Sequence, residues 1–147
     1  NAQDCSELFI SEYIEGPANN NAIEIYNPTN ATIDLSDYSI NRYGNGATSG
    51  PDSWPLSGTI TAGQAIAVGN GQLDSIWVST YWSVPVDPVF YSACGIHGSG
   101  IYPTPFYFNG DDAMTLEKSG NIIDIFGKVE EDPGGAWTDD ASAGYTD

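Results

Sequence analysis

Several Asp and Glu residues of this 147-residue chain are spaced so that their carboxylates could together bind a metal ion. Ca²⁺ takes roughly six to eight oxygen ligands, which carboxylates, Asn amides and loop carbonyls supply together. Glu12 and Glu24 fall on successive predicted strands joined by the Asn-rich loop 19–21, so their side chains can converge. Asp111 and Asp112 can join them if the hairpin strand that follows lies beside that pair. These four acids are the predicted ligands of a structural calcium ion.

A second interpretation gives the same acids a purely structural role. Carboxylates in turns accept hydrogen bonds from backbone N–H groups and so fix the turn. Glu15 and Asp132 also lie at strand ends or in turns. Because no EF-hand loop is present, the calcium interpretation depends on clustering alone. Both interpretations stay open at this point.

An enzymatic alternative is a small metal-dependent hydrolase or nuclease. In that case His97 would act as a base beside the acidic cluster, with a divalent metal activating water. His97 is the only histidine of the chain and lies in a Gly-rich stretch without a partner at a ligand spacing such as HExxH. The sequence also contains no GxSxG elbow, P-loop or Cys–His nucleophile pattern. We therefore expect no active site in this domain.

Aromatic residues concentrated in or near loops provide a third candidate site. Flat rings can stack on sugar faces beside acidic and amide hydrogen-bond partners, and Trp54, Trp82 and Tyr102 are the predicted ligand-binding rings. The competing interpretation is that these rings cover the open ends of the fold as small core clusters. A carbohydrate-binding module is thus an alternative function, with a glycan as its partner.

Two cysteines, Cys5 and Cys94, permit one intramolecular bridge. A disulfide that closes a loop of about 90 residues can add on the order of 4 kcal/mol to stability if the geometry allows the bond. Since the chain has no CxxC spacing, a disulfide between them is expected in an oxidising, extracellular setting. Two free or buried thiols are the other interpretation.

The charge balance excludes several classes of partner. Twenty acids face only three bases, which gives a formal net charge of -17. Such a surface repels phosphate backbones and anionic membranes, so we expect neither direct nucleic-acid binding nor membrane insertion. No stretch approaches the roughly 18 apolar residues of a membrane span. The chain begins at Asn1 without an initiator Met, which is expected of a mature or trimmed terminus.

The elements that must position these residues are short strands separated by turn residues. The predicted strands span residues 8–15, 22–26, 38–43, 57–60, 65–68, 114–117 and 122–126. In the first of them, alternation places Leu8, Ile10 and Ile14 on one face and Phe9 and Tyr13 on the other. This pattern predicts one all-β domain over residues 1–147, a β-sandwich rather than a barrel.

Four segments lack the strand pattern. The spacing of Leu73, Ile76, Trp77 and Tyr81 predicts one short helix over 72–81. Residues 44–55 and the aromatic, Pro-rich segment 83–105 are predicted loops, the latter a long insertion. Residues 138–147 are expected to form an irregular tail.

Six segments in this order resemble the lamin-tail domain family. They are Leu8–Tyr13, Ala22–Pro28, Ile33–Tyr38, Ser57–Gly63, Phe108–Ala113 and Asp132–Trp137. The resemblance implies an immunoglobulin-like β-sandwich. It is closer to a bacterial branch in which such domains accompany secreted nucleases, phosphatases and other surface proteins.

Resemblance to that branch implies an accessory domain, with any catalytic activity located in another domain of the parent protein. The chain is therefore expected to be a non-catalytic fragment of a secreted or cell-surface protein, mediating protein or surface contacts and stiffened by Ca²⁺. The parent is expected to be an extracellular nuclease or phosphatase. Two departures from the family are expected to matter: nothing after Trp137 matches the usual closing strand, and the aromatic segment 81–107 is longer than the family pattern.

Overall fold

The structure, a computed structural model, describes residues 6–137. Within this part the chain forms twelve β-strands, one α-helix and a 3-10 turn. The strands are β1 Phe9–Glu15, β2 Asn21–Tyr26, β3 Ile33–Asp34, β4 Tyr38–Tyr43, β5 Asp52–Pro55, β6 Thr59–Ile60, β7 Ala65–Asn70, β8 Ile76–Val78, β9 Tyr81–Ser83, β10 Ile96–Gly98, β11 Ala113–Lys118 and β12 Asn121–Phe126. The helix α1 spans Pro88–Ala93, and no helix within residues 6–137 combines the length and apolar character that a membrane span requires.

Two four-stranded sheets form the body of the domain. One has the strand order β1-β2-β7-β10 and the other β12-β11-β4-β5. All pairs are antiparallel except β7 with β10, which run parallel. Two smaller ribbons, β3 with β6 and β8 with β9, lie outside these sheets. This is the predicted all-β, immunoglobulin-like sandwich.

The core is built from the alternate side chains that the two sheets turn toward each other. Ile23 and Ile25 of β2 face it from one sheet, and Ile40 of β4 and Leu116 of β11 from the other. Each of these four side chains is fully shielded from solvent. Burying a side chain of this size contributes about 1.5–3 kcal/mol, so the sheets are held together mainly by this layer.

The first strand contains a β-bulge that changes which residues face the core. The register with β2 shifts between Ile10 and Glu12, so strict alternation is broken there. As a result Tyr13 packs against the core together with Ile10. The Tyr13 ring stacks on Phe126 with centroids 4.1 Å apart. The prediction that put Tyr13 on the face opposite Ile10, with Ile14 in its place, is wrong.

The predicted helix over 72–81 is also wrong, because that segment forms a β-hairpin. Ser79 takes a left-handed conformation (φ 59°) in the tight turn between β8 and β9, which a continuous helix does not allow. The helix lies instead at Pro88–Ala93. Asp87 caps it by accepting hydrogen bonds from the N–H groups of Val89 and Phe90, and the proline occupies its first turn.

The two predicted loops likewise contain regular structure. The segment 83–105 holds α1 and β10, and β10 adds a fourth strand to the first sheet. Gly98 of β10 lies so close to the ring of Phe106 that a Cβ atom could not be accommodated there. The segment 44–55 ends in β5, which pairs with β4. The predicted irregular tail, 138–147, lies outside the described residues.

Candidate functional site

The β8–β9 hairpin exposes three large aromatic side chains. Trp77 and Trp82 are directly opposite each other in the hairpin and meet edge to face, with ring centroids 5.5 Å apart. They are 54% and 64% exposed, and Tyr81 is 51% exposed. Large aromatics clustered in solvent are unusual in a monomeric protein and mark contact surfaces. We refer to Trp77, Tyr81 and Trp82 as the aromatic hairpin.

A buried polar network attaches the aromatic hairpin to the sandwich. Gln72 is only 2% exposed and lies at its centre. Its Oε1 accepts hydrogen bonds from the Tyr107 hydroxyl (2.6 Å) and the Ser83 hydroxyl (3.0 Å). Its Nε2 donates to the carbonyls of Ser83 and Val84, both at 3.0 Å. Because each of these buried groups has a partner, the network fixes the position of the hairpin.

Asn19 ties the same network to the loop between β1 and β2. Its Nδ2 donates to the Ser83 hydroxyl at 2.6 Å and to the Val84 carbonyl at 2.7 Å. The hairpin is therefore held from two sides, by Gln72 and by Asn19. This arrangement gives the exposed rings a rigid base, which lowers the entropy lost when a partner binds.

The three predicted ligand-binding aromatics do not share one environment. Trp82 belongs to the aromatic hairpin, and Tyr102 is 52% exposed and meets the Tyr107 ring edge to face at 5.9 Å. Through Tyr107, whose hydroxyl contacts Ser83, Tyr102 is connected to the base of the hairpin. Trp54 lies on β5, half-buried against the core. The exposed surface thus includes Trp82 and Tyr102, whereas the Trp54 ring has a packing role.

Glu12 and Glu24, two of the predicted calcium ligands, are direct neighbours. They face each other across β1 and β2 in the pairing register. The Ser11 hydroxyl donates to Glu24 Oε1 at 2.7 Å. Because two like charges directly opposite each other repel, this pair destabilises the pairing of β1 with β2.

Asp112, another predicted ligand, is engaged in fixing backbone. It is fully buried and accepts hydrogen bonds from the N–H groups of Asn45 (3.1 Å) and Asn109 (3.3 Å). The Arg42 guanidinium lies 3.5 Å from its Oδ2. Burial raises the pKa of Asp112, while the positive charge of Arg42 acts in the opposite direction. Its contacts match the structural interpretation of the turn carboxylates.

Asp111 is buried beside it, and its Oδ1 has no hydrogen-bond partner within residues 6–137. In this part of the chain no three His, Cys, Asp or Glu side chains form a group that could hold a metal ion. The structure therefore does not bring Asp111 and Asp112 together with Glu12 and Glu24. The predicted four-residue cluster separates into a pair on neighbouring strands, Glu12 and Glu24, and a buried turn.

His97, the candidate general base, lies on β10 and contacts the helix. Its Nε2 is 2.8 Å from the Tyr91 carbonyl oxygen, and its ring stacks on the Tyr91 ring at 3.7 Å. These contacts hold α1 against the first sheet. They occupy one ring nitrogen and one ring face of the histidine.

Cys94 follows α1 and is buried. Burial raises its pKa, which makes the thiol less reactive. Its predicted disulfide partner, Cys5, lies outside the described residues. The bridge therefore stays a prediction.

Sequence reasoning missed Gln72 and Trp77 as parts of this site. Trp77 was assigned to a helix, although Ile76 and Val78 on either side of it are β-branched residues typical of strands. The role of Gln72 has no local signal, because its side-chain partners Tyr107 and Asn19 are 35 and 53 residues away along the chain.

The lamin tail domain model matches residues 1–130 of this chain. No curated protein matches it. The family match covers most of the chain and agrees with the two-sheet architecture described above. The chain belongs to the lamin tail domain family.

Proposed function

We propose that this lamin tail domain is a non-catalytic accessory domain of a secreted bacterial protein, and that it contacts a protein or cell-surface partner. The observation that carries the proposal is the aromatic hairpin, which presents three half-exposed rings on a rigid base. Motif resemblance to the bacterial branch supports secretion. Membership in an immunoglobulin-like family agrees with a contact role.

The chemistry of the hairpin fits a protein interface. Trp and Tyr dominate the energetic centres of such interfaces because they bury large apolar areas at low entropy cost. Val84, next to β9, is 47% exposed and extends the apolar surface beyond the rings. The net charge of -17 makes a neutral or basic partner the favoured one.

The test compares three purified forms of the domain as bait on proteins of the source culture medium and cell envelope. They are the natural chain, the double variant Trp77→Ser with Trp82→Ser, and the control variant Val89→Ser, whose exposed side chain lies on α1, outside the hairpin. We expect a protein retained by the natural chain and the control and lost with the double variant. Equal retention by all three would contradict the hairpin as the contact surface.

A second assay addresses the enzymatic alternative. The purified domain is incubated with DNA, RNA, a phosphomonoester and oligosaccharides in the presence of Mg²⁺, Ca²⁺ or Zn²⁺. We expect no turnover. Metal-dependent cleavage that disappears in both His97→Ala and Asp111→Ala would establish a hydrolase and overturn the non-catalytic proposal.

Carbohydrate binding is the second candidate function, favoured by the exposure of Trp82 and Tyr102. Both rings are more than half exposed and so have a face available for stacking on a sugar. A glycan array separates the two candidates. Binding of a defined glycan that is lost in Trp82→Ala and in Tyr102→Ala, but kept in Trp54→Ala, would favour this function over protein contact.

A further inference from the structure

A groove runs along one side of the sandwich, between the edge strand of one sheet, β1, and the edge strand of the other, β12. It has a volume of about 1020 Å³ and is lined by residues 6–13 and 122–126. Within residues 6–137, β1 pairs only with β2, and β12 only with β11. The stacked rings of Tyr13 and Phe126 connect the two strands. We refer to this space between β1 and β12 as the edge groove.

The edge groove offers what an incoming strand needs. An edge strand carries outward backbone N–H and C=O groups that can pair with an extended segment. Ile122 and Ile125 on β12 are 47% and 39% exposed, which supplies apolar contact area. Five residues of β12 line the groove, a length of roughly 17 Å at about 3.4 Å per strand residue.

One outward backbone group of β1 is already occupied by a side chain. The Ile10 N–H donates to Asp124 Oδ2 of β12 at 2.7 Å. A carboxylate in this position satisfies the edge and so opposes unspecific strand pairing. The Ile10 N–H becomes available for pairing when a cationic side chain of an incoming segment binds the Asp124 carboxylate. A backbone carbonyl of that segment can then accept the hydrogen bond from the Ile10 N–H.

Charge identifies the occupant. The residues that line the edge groove include the acids Glu12 and Asp124 and no Lys or Arg, while a third acid, Glu7, pairs with Lys118. Residues 138–147 of the chain itself contain three Asp and no base, and a second copy carries the same net charge of -17. Repulsion therefore disfavours both as occupants. A segment with basic residues complements this charge.

We propose that the edge groove binds an extended, basic segment of another protein by strand addition, with apolar side chains on Ile122 and Ile125 and cationic ones on Asp124 and Glu12. This goes beyond the proposed function, because it names a second surface that is independent of the aromatic hairpin. Backbone hydrogen bonds provide affinity and the acids provide selectivity.

The test uses three synthetic ten-residue peptides. The first alternates Lys and Val, the second alternates Glu and Val, and the third repeats the first with a methyl group on every backbone nitrogen, so that neither of its edges can donate backbone hydrogen bonds. We expect the Lys–Val peptide to bind and to shift the backbone NMR signals of residues 6–13 and 122–126. The N-methylated peptide should bind about tenfold more weakly, as the loss of a hydrogen bond or two requires. The Glu–Val peptide should not bind.

Two variants of the domain provide the matched control. Ile125→Asp places a charge in the edge groove, whereas Ile101→Asp changes an exposed isoleucine (66%) outside it. Both add the same negative charge, so unspecific attraction of a basic peptide rises equally. We expect the Lys–Val peptide to bind about tenfold more weakly to Ile125→Asp than to Ile101→Asp. Failure of the Lys–Val peptide to bind, equal binding of the N-methylated peptide, or shifts confined to residues 76–83 would overturn the proposal.

Discussion

Trp77 and Trp82 lie directly opposite each other on β8 and β9, and their rings meet at an interplanar angle of 62° while more than half of each remains in solvent. Each ring thus packs on the other instead of on the core. The pair supports its own geometry at the surface, so both rings stay oriented for a partner. This relationship is the basis of the first prediction.

The Trp77–Trp82 contact should be measurable as a coupling energy. A double-mutant cycle with Trp77→Ser, Trp82→Ser and the double variant is expected to give a coupling of about 0.5–1.5 kcal/mol, because aromatic pairs contribute that much beyond their buried area. The measurement is the free energy of unfolding from urea titrations. Strictly additive effects would show that the two rings do not interact in solution.

Gln72 should be the residue on which the hairpin depends most. In Gln72→Ala the hydroxyls of Ser83 and Tyr107 lose a buried acceptor but still contact each other, so the loss amounts to about one unsatisfied group, which costs about 1–3 kcal/mol. We expect the free energy of unfolding to fall by about that amount. Amide hydrogen exchange of residues 76–83 should also accelerate, while β2 and β11 stay protected. Asn121→Ala, an exposed change at the first residue of β12, is the control. A uniform acceleration over all strands would contradict a local role.

Glu7 should make stability depend on pH in the acidic range. Burial acts to raise the pKa of Glu7, but hydrogen bonds from Lys118, the Tyr38 hydroxyl and the Leu8 N–H outweigh it, and the pKa is lowered. A lowered pKa in the folded state means that the stabilisation is present above about pH 4.3, the ordinary value for Glu, and is lost as the pH falls.

The matching variant is Glu7→Gln, compared with the natural chain from pH 7 to pH 3. At pH 7 it should be less stable by about 1 kcal/mol, a modest amount because Lys118 is partly exposed and solvent screens the ion pair. The difference should shrink toward zero as the pH falls below about 4.3. A difference that is constant over this range would show that the charge of Glu7 has no role.

Glu12 and Glu24 give a prediction for calcium, for which we propose the facing carboxylates as ligands. Millimolar CaCl₂ should raise the melting temperature more than NaCl of equal ionic strength, and a chelator should reverse the rise. Glu12→Gln removes the like-charge repulsion across the strands, so it should be more stable than the natural chain without calcium, by roughly 0.2–1 kcal/mol. It should also lose the calcium response, as should Glu24→Gln.

The control for calcium is Asp37→Asn, which removes an exposed charge away from this pair. It should keep the calcium response. If CaCl₂ and NaCl act equally at matched ionic strength, the effect is general screening of the acidic surface and no ion binds between the two strands.

Strands could be predicted where alternation and turn residues were both clear. Residues 38–43 were predicted from their pattern and are β4, and the predicted strands 114–117 and 122–126 fall in β11 and β12, which pair antiparallel. Alternation failed at β1 because a bulge inserts one residue, which no local pattern announces. It moved Tyr13 to the core face and changed the predicted surface of that strand.

The helix prediction failed for an identifiable reason. Helical spacing of apolar residues at 73–81 also fits a hairpin whose two strands each expose one tryptophan, and the tight turn at Ser79 decides between them. The signal for the true helix was present as Asp87–Pro88, a capping residue followed by a proline at the first helical position. Reading that dipeptide as a helix start would have divided the predicted loop 83–105.

The candidate site was harder to predict than the fold, because exposure and pairing depend on distant residues. Sequence reasoning selected Trp82 and Tyr102 but could not tell that Trp54 packs on the core. It also could not tell that Asp112 faces Arg42, 70 residues away, and not Glu12 or Glu24. Charge type is visible in a sequence, whereas the partner of each charge is set by tertiary packing.

The parallel pairing of β10 with β7 has a consequence for how this domain can diversify. The chain leaves the sandwich at the end of β7, forms the hairpin and α1, and returns beside the same strand. Residues 71–95 therefore form an insertion that begins and ends next to the same strand, β7. Their length and composition can change between relatives, or be exchanged by grafting, while both sheets keep their registers.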